Sequence, residues 1–356
     1  MSERVSPTPL RNRMTDLKVG RFLRISPSAR WTVIALLLIL IGNRLISPSF
    51  FSVRLVEGRL IGSPISILDG ASSIILLSIG MTLVIATRGV DLSVGAVMAI
   101  CSAAAAVLIN RYEAGSANIL YTPGFVILIA IGVGAACGLW NGILVAFLDI
   151  QPIIATLILM IAGRGIAQMI TEGQSPTFTN ETLAFIGRGV ILGIPFPVYL
   201  SLAMLLAVYL LVRRTAIGMM IEAVGINARA SYYAGINAAM IKLSAYVLSG
   251  ICAAVAGLKV AGEVKSADPH KAGEWAELDA ILAVVIGGTL LTGGRFNLIT
   301  SALGALIIQS LITGLYVSKL HPTANLVVKA IVVLLVLLLQ SEEFRGSVMR
   351  LSRRRA

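Results

Sequence analysis

The sequence predicts an all-α integral membrane protein of about ten transmembrane helices, and three observations predict it. From about Trp31 to Gln340 the chain is a near-continuous series of apolar runs of roughly 16 to 25 residues, separated by short polar breaks rich in Gly or Pro. About 20 helical residues cross a hydrocarbon core about 30 Å thick, so each run matches one crossing. Only 13% of the 356 residues are charged, 57% are hydrophobic, and the mean hydropathy is +0.91.

The runs fall near 31–47, 64–87, 92–110, 124–148, 153–171, 196–213, 243–262, 276–292, 298–317 and 326–341. Asn43 and Arg44 interrupt the first. A cleaved signal peptide is its rival reading, but the polar leader is long and no small-x-small cleavage site follows Ile41, so a retained helix is expected. An even number of crossings puts both termini on one side. With the termini cytoplasmic, inside segments hold 18 of the 29 Lys and Arg and outside segments hold 8, which favours N-in, C-in. Basic ends facing an anionic leaflet account for the net charge of +12 without nucleic acid. The expected organisation is a cytoplasmic tail (1–30), one transmembrane domain (31–341) and a second basic tail (342–356). The longest inside connection, 213–242, is semi-polar with helical character around Gly218 to Ala230, and offers a cytoplasmic protein something to grip.

Gly134, Gly138 and Gly142 sit four apart in the fourth run and predict a flat ridge for close helix packing. Two cytoplasmic-side breaks share a chemistry: TRGVDLSVG (87–95) and GGTLLTGGRFN (287–297) each let a helix end on glycine, turn and restart. Asp91 or Ser93 is placed to cap the new helix, or to hold an irregular backbone beside a pathway. Arg164, near the middle of the fifth run, costs about 2.5–3.5 kcal/mol even on a lenient insertion scale. Gln168 and Thr171 continue a polar stripe on its helix face. That stripe either pairs with carbonyls at a helix break or lines a polar solute path. Asn141, Thr156 and Asn297 are further path candidates. Lys259, Asp279 and Lys329 lie near outer ends, where snorkelling or mutual pairing is expected.

Several classes are excluded. Cys101, Cys137 and Cys252 all lie in apolar runs and predict buried thiols, while His270 and His321 have no metal-ligand spacing. No Gly-Lys dipeptide exists, so there is no P-loop; HExxH and GxSxG are absent as well. No metal, cofactor or catalytic residue is predicted. An ion-coupled secondary transporter of small polar solutes would have to rely on Asp279.

The stretches IGMTLVIATRGVDLSVGAVMAI (79–100), GLWNGILVAFLDIQPIIATLILMIAGRGIAQMIT (138–171), TAIGMMIEAVGINARASYYAGI (215–236) and ELDAILAVVIGGTLLTGGRFNL (277–298) resemble the permease subunits of bacterial sugar ABC importers, the ribose, xylose and galactofuranose group. SPISIL (63–68), ATLILMIAGRG (155–165) and EAVGIN (222–227) look most like the galactofuranose type. The resemblance implies a type II-like importer permease in the bacterial inner membrane that carries a monosaccharide by alternating access. It also implies three protein partners: a cytoplasmic ATPase that holds ATP and Mg, a second permease, related or identical, and a periplasmic sugar-binding protein. It places the ATPase-coupling role in 213–242, on Glu222, Gly225, Asn227 and Arg229.

Overall fold

A computed structural model describes residues 27–116 and 118–318, together with helical positions scattered between 327 and 338. Helix α1 (Pro27–Ile46) leads by a small hairpin of β1 (Arg54–Val56) and β2 (Arg59–Ile61) into α2 (Ser63–Ala86) and α3 (Val94–Glu113). Helices α4 (Pro123–Ala146) and α5 (Pro152–Ile170) follow, each started by a proline whose fixed φ suits the first turn. After the short α6 (Glu181–Arg188) and a second hairpin, β3 (Val190–Ile191) with β4 (Ile194–Pro195), come α7 (Phe196–Arg214), α8 (Ile217–Ile226) and α9 (Ala228–Tyr233). The chain continues through α10 (Ala238–Val264), α11 (Ala276–Ile286) and α12 (Leu298–Val317).

Among the described residues, seven helices are long and apolar enough to cross a membrane: α2, α3, α4, α5, α7, α10 and α12. The chain is therefore a multi-pass membrane protein. Helix α1 has a matching length, 20 residues. Its interrupting Asn43 is buried and donates to the Ser310 carbonyl of α12 at 2.9 Å, while Thr32 donates to the Ile286 carbonyl at 3.0 Å. The polar residues that blur this span in the sequence are the ones that dock it. Of the expected tenth span only scattered helical positions between 327 and 338 are described; Lys329, most of the first tail and all of the second lie outside the described residues.

The expected span 276–292 is corrected. Helix α11 has only 11 residues, about 16 Å at 1.5 Å per residue, which covers half the bilayer. Gly287 and Gly288 (φ +87) cut it short at its C-terminal end, and the chain before its start at Ala276 is irregular. Such backbone survives at membrane depth only when protein encloses it.

The buried centre is α2 and α3, wrapped by α10. Leu76, Leu77 and Met81 of α2 meet Met98 and Cys101 of α3 and Leu258 of α10 in one apolar cluster. Lipid tails are as apolar as these side chains, so close backbone packing and interhelical hydrogen bonds supply the adhesion. The glycine ridge of α4 lies against α10. A methyl group at Gly134 would come within 2.5 Å of the Gly250 carbonyl oxygen, and one at Gly138 would strike that of Tyr246. At Gly142 it would come within 2.6 Å of the Leu243 side chain. Thr82 of α2 donates to Ser301 of α12 at 2.9 Å.

Candidate coupling junction and solute path

The 213–242 segment, expected to carry the coupling role, forms a compact pair of helices, α8 and α9, at one end of the bundle. Asn227 separates α8 from α9 and caps α9, its side chain accepting from the Ala230 N–H at 3.0 Å. Arg229 is exposed and Glu222 is half-buried. Gly225 faces inward, where an added Cβ would collide with the Ala86 carbonyl oxygen and lie 2.6 Å from the Gly294 nitrogen. Only glycine lets three strands of main chain meet here.

The two glycine-rich breaks come together at this point. The Gly294 N–H donates to the Ala86 carbonyl at 2.9 Å, and Arg88 reaches across to donate to the Ile226 carbonyl at 2.6 Å. Arg88 adopts a left-handed φ of +65, and Gly293 (φ +79) packs on its stem. A push on α8 therefore bears directly on the turn after α2 and on the loop before α12.

From Arg88 the chain climbs back into the bundle to Asp91, which is 2% exposed. Asp91 Oδ1 accepts from the Ser93 N–H at 3.0 Å and from Ser93 Oγ at 2.6 Å, and Oδ2 accepts from Ser249 Oγ of α10 at 2.8 Å. Ser93 is the N-cap of α3 but makes no side-chain cap bond; its hydroxyl accepts instead from Asn141 Nδ2 of α4 at 2.8 Å. Thr156 Oγ1 bonds to the Pro152 carbonyl at 2.9 Å and approaches that of Val90 at 3.3 Å. Asn141 and Thr156, read from the sequence as path candidates, thus meet around this broken segment and tie α4 and α5 to it. Asn297 stands apart, capping α12 through the Ile299 N–H at 3.0 Å.

Arg164 organises a second feature. Its guanidinium donates to the carbonyls of Ala272 at 2.6 Å and Gly273 at 2.9 Å, with His270 O at 3.4 Å. The loop it holds, 268–275, is the irregular outer half of the crossing that α11 completes. A Cβ on Gly273 (φ +67) would sit 2.5 Å from the Gly95 carbonyl oxygen, so the loop backbone rests directly on the start of α3. Glu277 of α11 is buried, and its Oε2 lies against Gly95 at the start of α3 without a hydrogen-bond partner among the described residues. Gln168 lies 3.5 Å from the His270 ring, whereas Thr171 folds back onto the Ala167 carbonyl at the end of α5.

Lys259 does not snorkel: it is 2% exposed, 2.6 Å from Glu263 and 3.9 Å from Asp69. Asp69 and Glu263 line an outer cavity of about 340 Å³ with Arg59 and Arg188. On the nearby surface Lys265 donates to Glu181 at 2.7 Å and holds its carboxyl below the usual range.

A family model described as "Branched-chain amino acid transport system / permease component" matches residues 63–337. The chain is 54% identical over 318 residues to the galactofuranose transporter permease protein YtfT of Escherichia coli K12, covering 89% of this chain and 91% of that one. Identity is 39% to the fructose import permease protein FruF of Bifidobacterium longum (93% of each chain). It is 36% to the ribose import permease protein RbsC of Escherichia coli K12, over 88% of this chain and 93% of the relative. This chain belongs to the permease family of sugar ABC importers. No solved structure matches it.

In this permease, both glycine-rich breaks, the helical character of 213–242 and the prominence of Arg164 were legible in the sequence, and three things were missed. Ser249 and Tyr246, which receive the Asp91 break on α10, look like ordinary helix residues. The Asp69–Lys259–Glu263 cluster joins residues 190 positions apart or more, apart from the i,i+4 pair Lys259–Glu263 that was legible. The loop conformation of 268–275, including Trp275 at φ +61, has no sequence signature.

Proposed function

We propose that this permease forms half of the membrane channel of an importer for a monosaccharide, galactofuranose-like or ribose/xylose-like, in the bacterial cytoplasmic membrane. A periplasmic binding protein delivers the sugar, a second permease completes the path, and a cytoplasmic ATPase that holds ATP and Mg drives alternating access. The observation that carries the reading is the 54% identity to a galactofuranose permease across nine-tenths of both chains. The direct backbone contact of the coupling segment with both glycine-rich breaks supports the mechanism. Exposed Met219, Ile226, Tyr232 and Tyr233 give α8 and α9 an apolar, aromatic cytoplasmic face suited to a protein partner. We assign ATPase coupling to Glu222, Gly225, Asn227 and Arg229. The tails 1–30 and 342–356 flank a transport domain at 31–341.

Uptake into cells or vesicles tests this. Sugar uptake should stop when ATP is depleted with the proton gradient intact. Persistence under those conditions would favour the ion-coupled alternative, for which the most deeply buried carboxylate among the described residues is Asp91 rather than Asp279. The Glu222→Ala/Arg229→Ala double variant should insert normally yet lose ATPase association or coupled uptake. Normal ATP-dependent uptake would remove both residues from the coupling role.

A further inference from the structure

The broken segment between α2 and α3 carries a charge that its local hydrogen bonds do not balance. Asp91 is 2% exposed, and no Lys, Arg or His among the described residues bonds to it. The titratable groups that feel its charge are Cys137 and Tyr246, and neither supplies a positive one. A carboxylate enclosed in a helix bundle without a cation is costly, and neutral donors offset only part of that cost.

The buried oxygens around it also outnumber the donors. A carboxylate offers about four acceptor positions, and Asp91 fills three, with the Ser93 N–H and the hydroxyls of Ser93 and Ser249. Both hydroxyl protons are thereby spent on Asp91. Ser93 Oγ keeps a lone pair after accepting from Asn141, and buried Ser249 Oγ keeps both of its own. Asn141 is 1% exposed, and its Oδ1 is buried with no hydrogen-bond partner. That oxygen is geminal to the nitrogen that meets Ser93 at 2.8 Å, so it belongs to the same cluster. The carbonyl before Asp91, that of Val90, is short of donors too: Thr156 stands 3.3 Å away and the Tyr246 hydroxyl 3.5 Å.

We propose that Asp91, Ser93, Asn141 and Ser249 hold a monovalent alkali cation, Na+ or K+, at the start of α3. Surplus buried acceptors around an unbalanced negative charge are what such an ion satisfies. A single carboxylate balances a single positive charge, whereas divalent cations favour sites with more acidic ligands. All the ligands are hard oxygens, which suits an alkali ion and not a transition metal. They come from the break, from α4 and from α10, so the ion rivets the break to both helices, three residues beyond the Arg88 contact with α8. It is resident rather than carried, needs no gradient, and leaves the energy source proposed above unchanged.

The test is a thermal melt of the purified full-length permease in detergent, with choline chloride replaced stepwise by NaCl or KCl at fixed ionic strength. A saturable rise of about 3–6 °C is expected with at least one of the two ions, and the lower midpoint identifies the occupant. Asp91→Asn should abolish the rise, because the amide removes the charge and keeps the side-chain shape. Ser249→Ala and Asn141→Ala, each lacking one ligand, should move the midpoint about tenfold higher. These two milder variants carry the test where Asp91→Asn does not fold. Equal melting in choline, sodium and potassium overturns the site. So does a rise that Asp91→Asn retains, or a midpoint that neither Ser249→Ala nor Asn141→Ala moves, since the ions then act elsewhere on the protein.

Discussion

Arg164→Ala should lower thermal stability in detergent and abolish uptake together. The substitution removes the donor for the Ala272 carbonyl, which has no other partner among the described residues, and leaves Gly273 with a long bond of 3.3 Å from the Ala276 N–H. A buried acceptor left unpaired costs about 1–3 kcal/mol, so a loss of about 1–3 kcal/mol is expected. Arg164→Lys should recover only part of it, because an ammonium cannot reproduce the planar fork that reaches neighbouring carbonyls. Melting curves and uptake assays on the same preparations separate the two readings left open by the sequence. An arginine that only lines the path would lose uptake with an unchanged melting temperature; one that holds the loop loses both.

Gly225→Ala should break transmission without breaking the subunit. The new methyl group points at the Ala86 carbonyl oxygen and the Gly294 nitrogen, both main-chain atoms that cannot swing aside as a side chain would. Overpacking costs about 1–3 kcal/mol, enough for roughly a ten- to hundredfold loss of sugar carried per ATP hydrolysed. Helix α8 is short and lies at the end of the bundle, so insertion should be normal. Sugar and phosphate release measured side by side check this. An unchanged ratio would mean that the three chain segments separate during the cycle and that their contact is incidental.

The membrane class was legible because hydropathy acts over twenty residues at a time, and one misplaced side chain cannot hide it. The 276–292 run shows where that signal fails. Its residues are apolar enough for a span, yet Gly287 and Gly288 stop the helix, and its outer partner is a polar loop that hydropathy assigns to solvent. Arg164 was conspicuous because its burial is costly, but its partners are carbonyls, which every residue carries and no sequence distinguishes. The two glycine breaks were each readable as turns. Their meeting at Gly225 was not, since it depends on where α8 lies in space. Asp91 followed the same rule: the predicted helix cap does not form, since its Oδ1 takes the Ser93 N–H just ahead of α3, and the Ser249 hydroxyl 158 positions away left no mark in the sequence.

The contact of Gly225 with Ala86 and Gly294 is made by peptide groups alone, while the outward surface of α8 and α9 is made by side chains. The two are thus free to change independently. On the proposed coupling role, substitutions outside can retune which motor this subunit accepts, as long as one hydrogen atom stays where a methyl would jam. Under that proposal, drift in motor choice is cheap, and drift at the main-chain contact behind it is forbidden.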